Sequence, residues 1–118
     1  MNTYGTVAAP DISGLTSASA QSFITAYKAA FPGKDLLPYS ASSYDAAMIQ
    51  ITAIKNLIKA GKPVTRSALR DEVAGISYDG VTGHIAFDAN GDNSGQKVFS
   101  VYSVGTNGQW GFVRLVNA

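Results

Sequence analysis

Apolar residues recur along the chain with two different periods, and the change of period divides it into three stretches. A short strand opens the chain over residues 4–9 (Tyr-Gly-Thr-Val-Ala-Ala) and is ended by Pro10 and the polar run from Asp11 to Gly14. Helical spacing follows. Phe23, Ile24, Tyr27 and Phe31 share one stripe of a helix that Ser17 or Ser19 can cap and that Pro32-Gly33 stops. Leu36 to Ser40 reads as extended, because Pro38 disfavours helix in the residue before it. A long helix is expected from about Ser43 to Ala60, with Tyr44, Met48, Ile51, Ile54 and Ile58 on its inward stripe. Ser42 and Asp45 stand in the spacing of a capping box, so Asp45 is assigned to the exposed amides of that helix's first turn. Lys55 and Lys59 suit its last turns, and Gly61 its left-handed cap. A shorter helix begins after Thr65, carries Leu69 and Val73 inward, and ends at Gly75.

From Ile76 the period becomes two. Val81 to Phe87 is expected as a strand, with a tight corner near Gly80 and Gly83, and Asp88 to Gly95 is turn chemistry. Val98 to Val104 and Trp110 to Val116 flank Gly105-Thr106-Asn107-Gly108, where Asn107-Gly108 suggests a hairpin with a type I′ turn. One strand, three helices and three strands make an α/β chain with an incomplete sheet. Its helices must close on themselves or borrow the missing sheet from another chain.

Composition narrows the chemistry. The 118 residues are most simply a single domain, 46% hydrophobic, 14% charged and of net charge +1. No Lys/Arg cluster marks a nucleic-acid face, and no apolar stretch approaches the roughly 20 residues of a membrane span. The absence of cysteine removes disulfides, thiolate catalysis and Cys-ligated zinc. Asp88-Ala89-Asn90-Gly91-Asp92 has the opening of a calcium loop, but Asn93 and Phe99 stand where such a loop needs Gly and Glu, which favours a polar turn. His84 is the only histidine and reads as a solvent-facing strand residue. No nucleophile, metal-ligand cluster or cofactor motif stands out, so no enzymatic activity is expected. The first residues carry neither a basic region nor an apolar core, so no secretory signal is seen.

Several segments taken together resemble a known family. Pro38-Tyr39-Ser40-Ala41-Ser42-Ser43-Tyr44-Asp45-Ala46-Ala47, then Ala53-Ile54, Arg66 through Leu69, Tyr78-Asp79-Gly80-Val81-Thr82-Gly83 and Phe87-Asp88-Ala89-Asn90-Gly91-Asp92 resemble the C-terminal third of leucine/isoleucine/valine-type solute-binding proteins. Those are the extracytoplasmic receptors of ABC transporters, with the type 1 periplasmic-binding fold. The helix of Phe23 to Pro32 and the segments Val98 to Val104 and Gly108-Gln109-Trp110 extend the likeness to nearly the whole chain. The resemblance implies two lobes joined by three crossover segments, with Thr6 to Pro10 near the second and Lys97 to Val104 near the third. The chain would then be the last part of the first lobe, from a periplasmic parent that binds an amino-acid-like solute and delivers it to a permease. Of the family's ligand contacts only Tyr39 is matched, an aromatic position that packs against the solute's apolar part; a core or edge aromatic is the alternative. The opening Met ahead of a mid-protein strand suggests a truncated or engineered piece. Such a piece, with few charges and bare strand edges, is expected to form a homodimer, by two-fold pairing or by exchange of the C-terminal hairpin.

Overall fold

The computed structural model describes residues 3–95 and 97–117; Met1, on which the reading of a truncated start rests, lies outside them. The elements are β1 (Tyr4–Val7), a 3-10 turn (Ile12–Gly14), α1 (Ala18–Ala30), α2 (Ser40–Lys59), α3 (Arg66–Ala74), β2 (Ser77–Asp79), β3 (His84–Ala86), β4 (Val98–Val104) and β5 (Trp110–Asn117). β4 is the centre of a three-stranded sheet ordered β1-β4-β5, and β2 pairs with β3 in a separate hairpin. Every strand pair among the described residues is antiparallel. Three helices beside two small open sheets make the α/β layout with an incomplete sheet expected from the sequence.

Local chemistry explains most of the boundaries. Ser17 caps α1 by accepting from the Ala20 amide at 3.2 Å, and Thr65 caps α3 by accepting from the Ala68 amide at 3.2 Å. The β4–β5 loop departs from the expected type I′ turn, which needs positive φ at both central residues. Gly108 alone is left-handed here (φ 74°), and its amide donates to Gly105 O at 3.0 Å, the pattern of a three-residue loop ending in a glycine.

α2 corrects three expectations at once. It starts at Ser40 rather than Ser43, with Tyr39 as an N-cap that makes no side-chain capping bond. Asp45 does not serve that helix end. Its buried carboxylate accepts from the Val81 amide and the Thr82 amide, both at 2.8 Å, and from the Thr82 hydroxyl at 2.7 Å. Amides committed to a carboxylate cannot join a ladder, so residues 80–83 form the hairpin turn and the strand expected over Val81–Phe87 is confined to His84–Ala86. Gly80 is required there, since a Cβ would lie 2.5 Å from Asp45 Oδ2. The inward face is also different: Ala41, Asp45, Ile49, Ala53 and Leu57 are buried, whereas Tyr44, Ile51 and Ile58 are 41%, 42% and 63% exposed. The alanines let α2 approach its neighbours closely, and close approach is what selects the face.

Two small cores result. Leu15, Ala20, Ala41 and Val81 form one between α1, α2 and the turn, and Ile49, Ala53 and Ile76 form the other, with Leu69, Val73, Tyr78, Ile85 and Phe87 around it. The three-stranded sheet is fastened by Ser100, fully buried on β4, whose hydroxyl donates to Ala9 O and accepts from the Asp11 amide, both at 2.6 Å. The Tyr102 hydroxyl adds a 2.6 Å bond to Asp11 Oδ2.

Two measurements check this packing. Asp45→Asn leaves one of the turn's amides facing an NH₂ group, and is expected to cost about 1–3 kcal/mol in urea denaturation. Burial, and then the bond to the Asp11 carboxylate and its charge, push the Tyr102 phenol up to about 12. Partial burial of Asp11 opposes its ionisation, but its bonds from Tyr102 and Ser13 prevail and hold its carboxyl below the usual value. The Tyr102 contribution is therefore complete below the ordinary phenol pKa near pH 10 and lost as pH rises through about 12, whereas the Asp11 contribution is lost as pH falls below the ordinary carboxylate value. Ultraviolet titration should show an ionisation near pH 12 that Tyr102→Phe removes.

Candidate functional site

Two cavities meet the N-terminal end of α2. Pro38 borders an apolar one of about 340 Å³ together with Val7, Tyr102 and Trp110. Ser42 borders a polar one of about 380 Å³, whose walls include Thr82, Asp88, Asp92, Asn93 and Lys97. Tyr39 stands between Pro38 and Ser42 in the chain. Its ring is 57% exposed, so it is not a core residue, and it is not part of either cavity wall in the chain alone. The helix end beside it carries no side-chain cap, and the Ser40 amide there donates to Leu37 O at 2.9 Å. The polar cavity presents hydroxyls, two carboxylates, an amide and one ammonium, and the apolar one an indole and a phenol ring.

Trp110, Ser42 and Thr82 were not assigned to a site from the sequence. Gly5 is the signal for the first: a Cβ there would lie 3.2 Å from the Trp110 ring, so a glycine inside β1 marks the seat of the indole. Nothing in the local pattern announces the other two, which the 36-residue reach of Asp45 to the hairpin turn brings together.

The loop of residues 88–93 folds on its own backbone. Asp88 Oδ1 accepts from the amides of Asn90 and Asp92 at 2.9 and 3.0 Å, and Phe87 bridges Asn93. Among the described residues no group of three or more His, Asp or Glu side chains is placed to hold a metal ion.

His84 has more company than its sequence position announces. Its Nδ1 lies 2.7 Å from Asp79 Oδ1, and its Nε2 lies 3.5 Å from Ser77 Oγ. The β2–β3 register produces this: Asp79 faces His84 across the pair, and Ser77 is two residues along the same face. The order of groups is that of a serine–histidine–aspartate relay, yet the Asp79 side chain is 93% exposed and neither Ser77 nor His84 borders any cavity named above. A nucleophile in open water has no preorganised donors to receive an oxyanion.

Comparison with known proteins gives a family. Residues 2–109 match the family described as periplasmic binding protein. Among solved structures, the chain superposes on a leucine-binding protein from Thermotoga maritima with a TM-score of 0.71 and 26% identity, over 98% of this chain and 31% of that one. It superposes on an ABC transporter substrate-binding protein from Desulfitobacterium hafniense, solved in complex with Leu, with a TM-score of 0.63 and 22% identity, over 82% of this chain and 27% of that one. The chain thus spans less than a third of the length of either structure. Comparison with curated proteins yields no match. With the match running through both cores, the hairpin turn and strands β1 and β4, the chain belongs to the periplasmic binding protein family.

Proposed function

We propose that this chain is part of an extracytoplasmic solute-binding receptor for an amino acid or related small molecule, serving an ABC permease from the periplasmic side. The observation that carries the reading is the superposition of nearly the whole chain on a leucine-binding protein, at 26% identity. In this reading the chain is the last part of the first lobe, with the second and third crossover segments in β1 and β4. Tyr39 is the ligand-binding residue: its exposed ring is a wall for the solute's apolar part, and the remaining polar contacts come from outside these residues. Receptor work is capture and release, so no cofactor and no chemical step are assigned.

A second reading is favoured by the thinness of the two cores, in which the largest fully buried side chains are Asp45 and Ser100 rather than large hydrophobics. Here the chain by itself captures no solute and persists by association.

Calorimetric titration with leucine, isoleucine, valine and other small amino acids separates the two. The receptor reading expects saturable heat for at least one of them when the longer polypeptide containing this sequence is titrated, and about tenfold weaker binding, or about 1.4 kcal/mol, for Tyr39→Ala. Unchanged affinity in Tyr39→Ala would remove that residue from the site, and absence of binding by chain and longer polypeptide alike would leave the second reading. Hydrolysis of a p-nitrophenyl ester is expected to be no faster than with free imidazole at equal concentration, and equal in Ser77→Ala.

A further inference from the structure

We propose that Asn107 is a self-modifying site: the Gly108 backbone nitrogen closes on the asparagine side chain and expels ammonia, leaving aspartate or isoaspartate at the tip of the β4–β5 hairpin. The proposal does not depend on solute binding.

Asparagine followed by glycine occurs at Asn90-Gly91 and at Asn107-Gly108. The two glycines offer the attacking nitrogen on equal terms. Both pairs are exposed, so water and hydroxide reach either. Gly91 and Gly108 are both left-handed, at φ 86° and 74°. Each amide donates to the carbonyl three residues back, Asp88 O and Gly105 O, at 3.0 Å, so each gives up one such bond before it attacks. Neither glycine has a Cβ to hinder the approach.

The group under attack separates them. Asn107 Oδ1 accepts from the Gln109 amide at 3.0 Å, which makes an Asx turn. The ring closed by this bond contains both Asn107 Cγ and the Gly108 nitrogen, so the side chain is held over the loop instead of swinging in water. Gly105 reports the same placement, since a Cβ there would lie 3.0 Å from Asn107 Oδ1. Restraining the reacting atoms in one small ring lowers the entropy cost of their meeting. The Gln109 N–H also points at the oxygen on which negative charge develops, the place of an oxyanion donor. Asn90 has neither advantage: its backbone amide donates to Asp88 Oδ1, and its side chain makes no bond among the described residues. Asn93 shares the Asx geometry, with Oδ1 accepting from the Gly95 amide at 2.9 Å. The nitrogen beside it belongs to Ser94, which carries a Cβ and donates to Ala86 O at 2.8 Å.

The step balances with water alone. Hydroxide takes the Gly108 amide proton, the nitrogen bonds to Asn107 Cγ, and the Cγ–Nδ2 bond breaks. Nδ2 takes a proton from water and leaves as ammonia, which returns the hydroxide. Water then opens the cyclic imide. Cleavage of the new N–Cγ bond gives aspartate, and cleavage of the original peptide bond gives isoaspartate, with the chain routed through Cβ and Cγ. Either product takes the formal net charge from +1 to zero.

The test incubates the chain at mildly alkaline pH, folded and in parallel unfolded in guanidinium chloride, and follows each asparagine by peptide mass spectrometry. In the folded chain Asn107 should convert about tenfold faster than Asn90, the factor that one hydrogen bond of ordinary strength gives to a rate. In the unfolded chain, without the Asx turn, the two should convert at similar rates. Gln109→Pro lacks the donating N–H and should slow Asn107 to the Asn90 rate while leaving Asn90 unchanged. Asn90 converting as fast as Asn107 in the folded chain would overturn the proposal. A preference for Asn107 that survives unfolding would also overturn it, because the preference would then belong to the local sequence and not to the turn.

Discussion

The fold depends on one buried carboxylate. Asp45 reaches from α2 to the hairpin turn and takes up the Val81 and Thr82 amides and the Thr82 hydroxyl. Those amides are otherwise polar groups at the edge of the core, where an unpaired donor costs about 1–3 kcal/mol. The turn it holds is also the joint between the two cores: Val81 belongs to the cluster with Leu15, Ala20 and Ala41, while Ile76, Tyr78 and Ile85 of the same hairpin belong to the cluster with Ile49 and Ala53. α2 itself runs through both clusters, with Ala41 in one and Ile49 and Ala53 in the other, and the carboxylate fixes the turn against it. Gly80 follows from the same constraint, because the space of its missing side chain is occupied by the Asp45 carboxylate.

This also explains what could be read in the sequence and what could not. Caps act within four residues, so Ser17, Thr65 and the left-handed Gly61 were legible, as were the helices they bound and the β4–β5 hairpin. Asp45 at three residues from Ser42 carries the same local signature whether it bonds its own helix end or a turn 36 residues away, and only the tertiary structure decides. For that reason the strand expected over Val81–Phe87 is confined to His84–Ala86. The wrong face of α2 has a different origin. Periodicity counts apolar residues without regard to size, and α2 carries two apolar stripes; the large-residue stripe lost to the alanine stripe because only small residues admit α1 and the hairpin at close range. The exposure of Tyr39 has no signal in the local pattern, and the pairing of Trp110 with Gly5 is legible only through the strand register. Ser77, Asp79 and His84 show the converse. Register gathered an order of groups associated with catalysis, and its surroundings withhold the rest.

The sheet and the helices are joined in unequal ways, and that inequality bears on how a receptor lobe can work. β1 and β4 are tied by four paired positions, by both bonds of the Ser100 hydroxyl and by the Tyr102–Asp11 bond. Segments so tied transmit displacement as one body rather than flexing against each other, because each polar bond broken there would leave a group out of water. The end of α2 that carries Tyr39 has no side-chain cap; the Ser40 hydroxyl accepts from the Leu37 amide, Leu37 O from the Ser40 amide and Tyr39 O from the Ser43 amide, each at 2.9 Å. That end of α2 is held by bonds between near neighbours in the chain, the strand pair by side-chain bonds that span 89 to 91 residues.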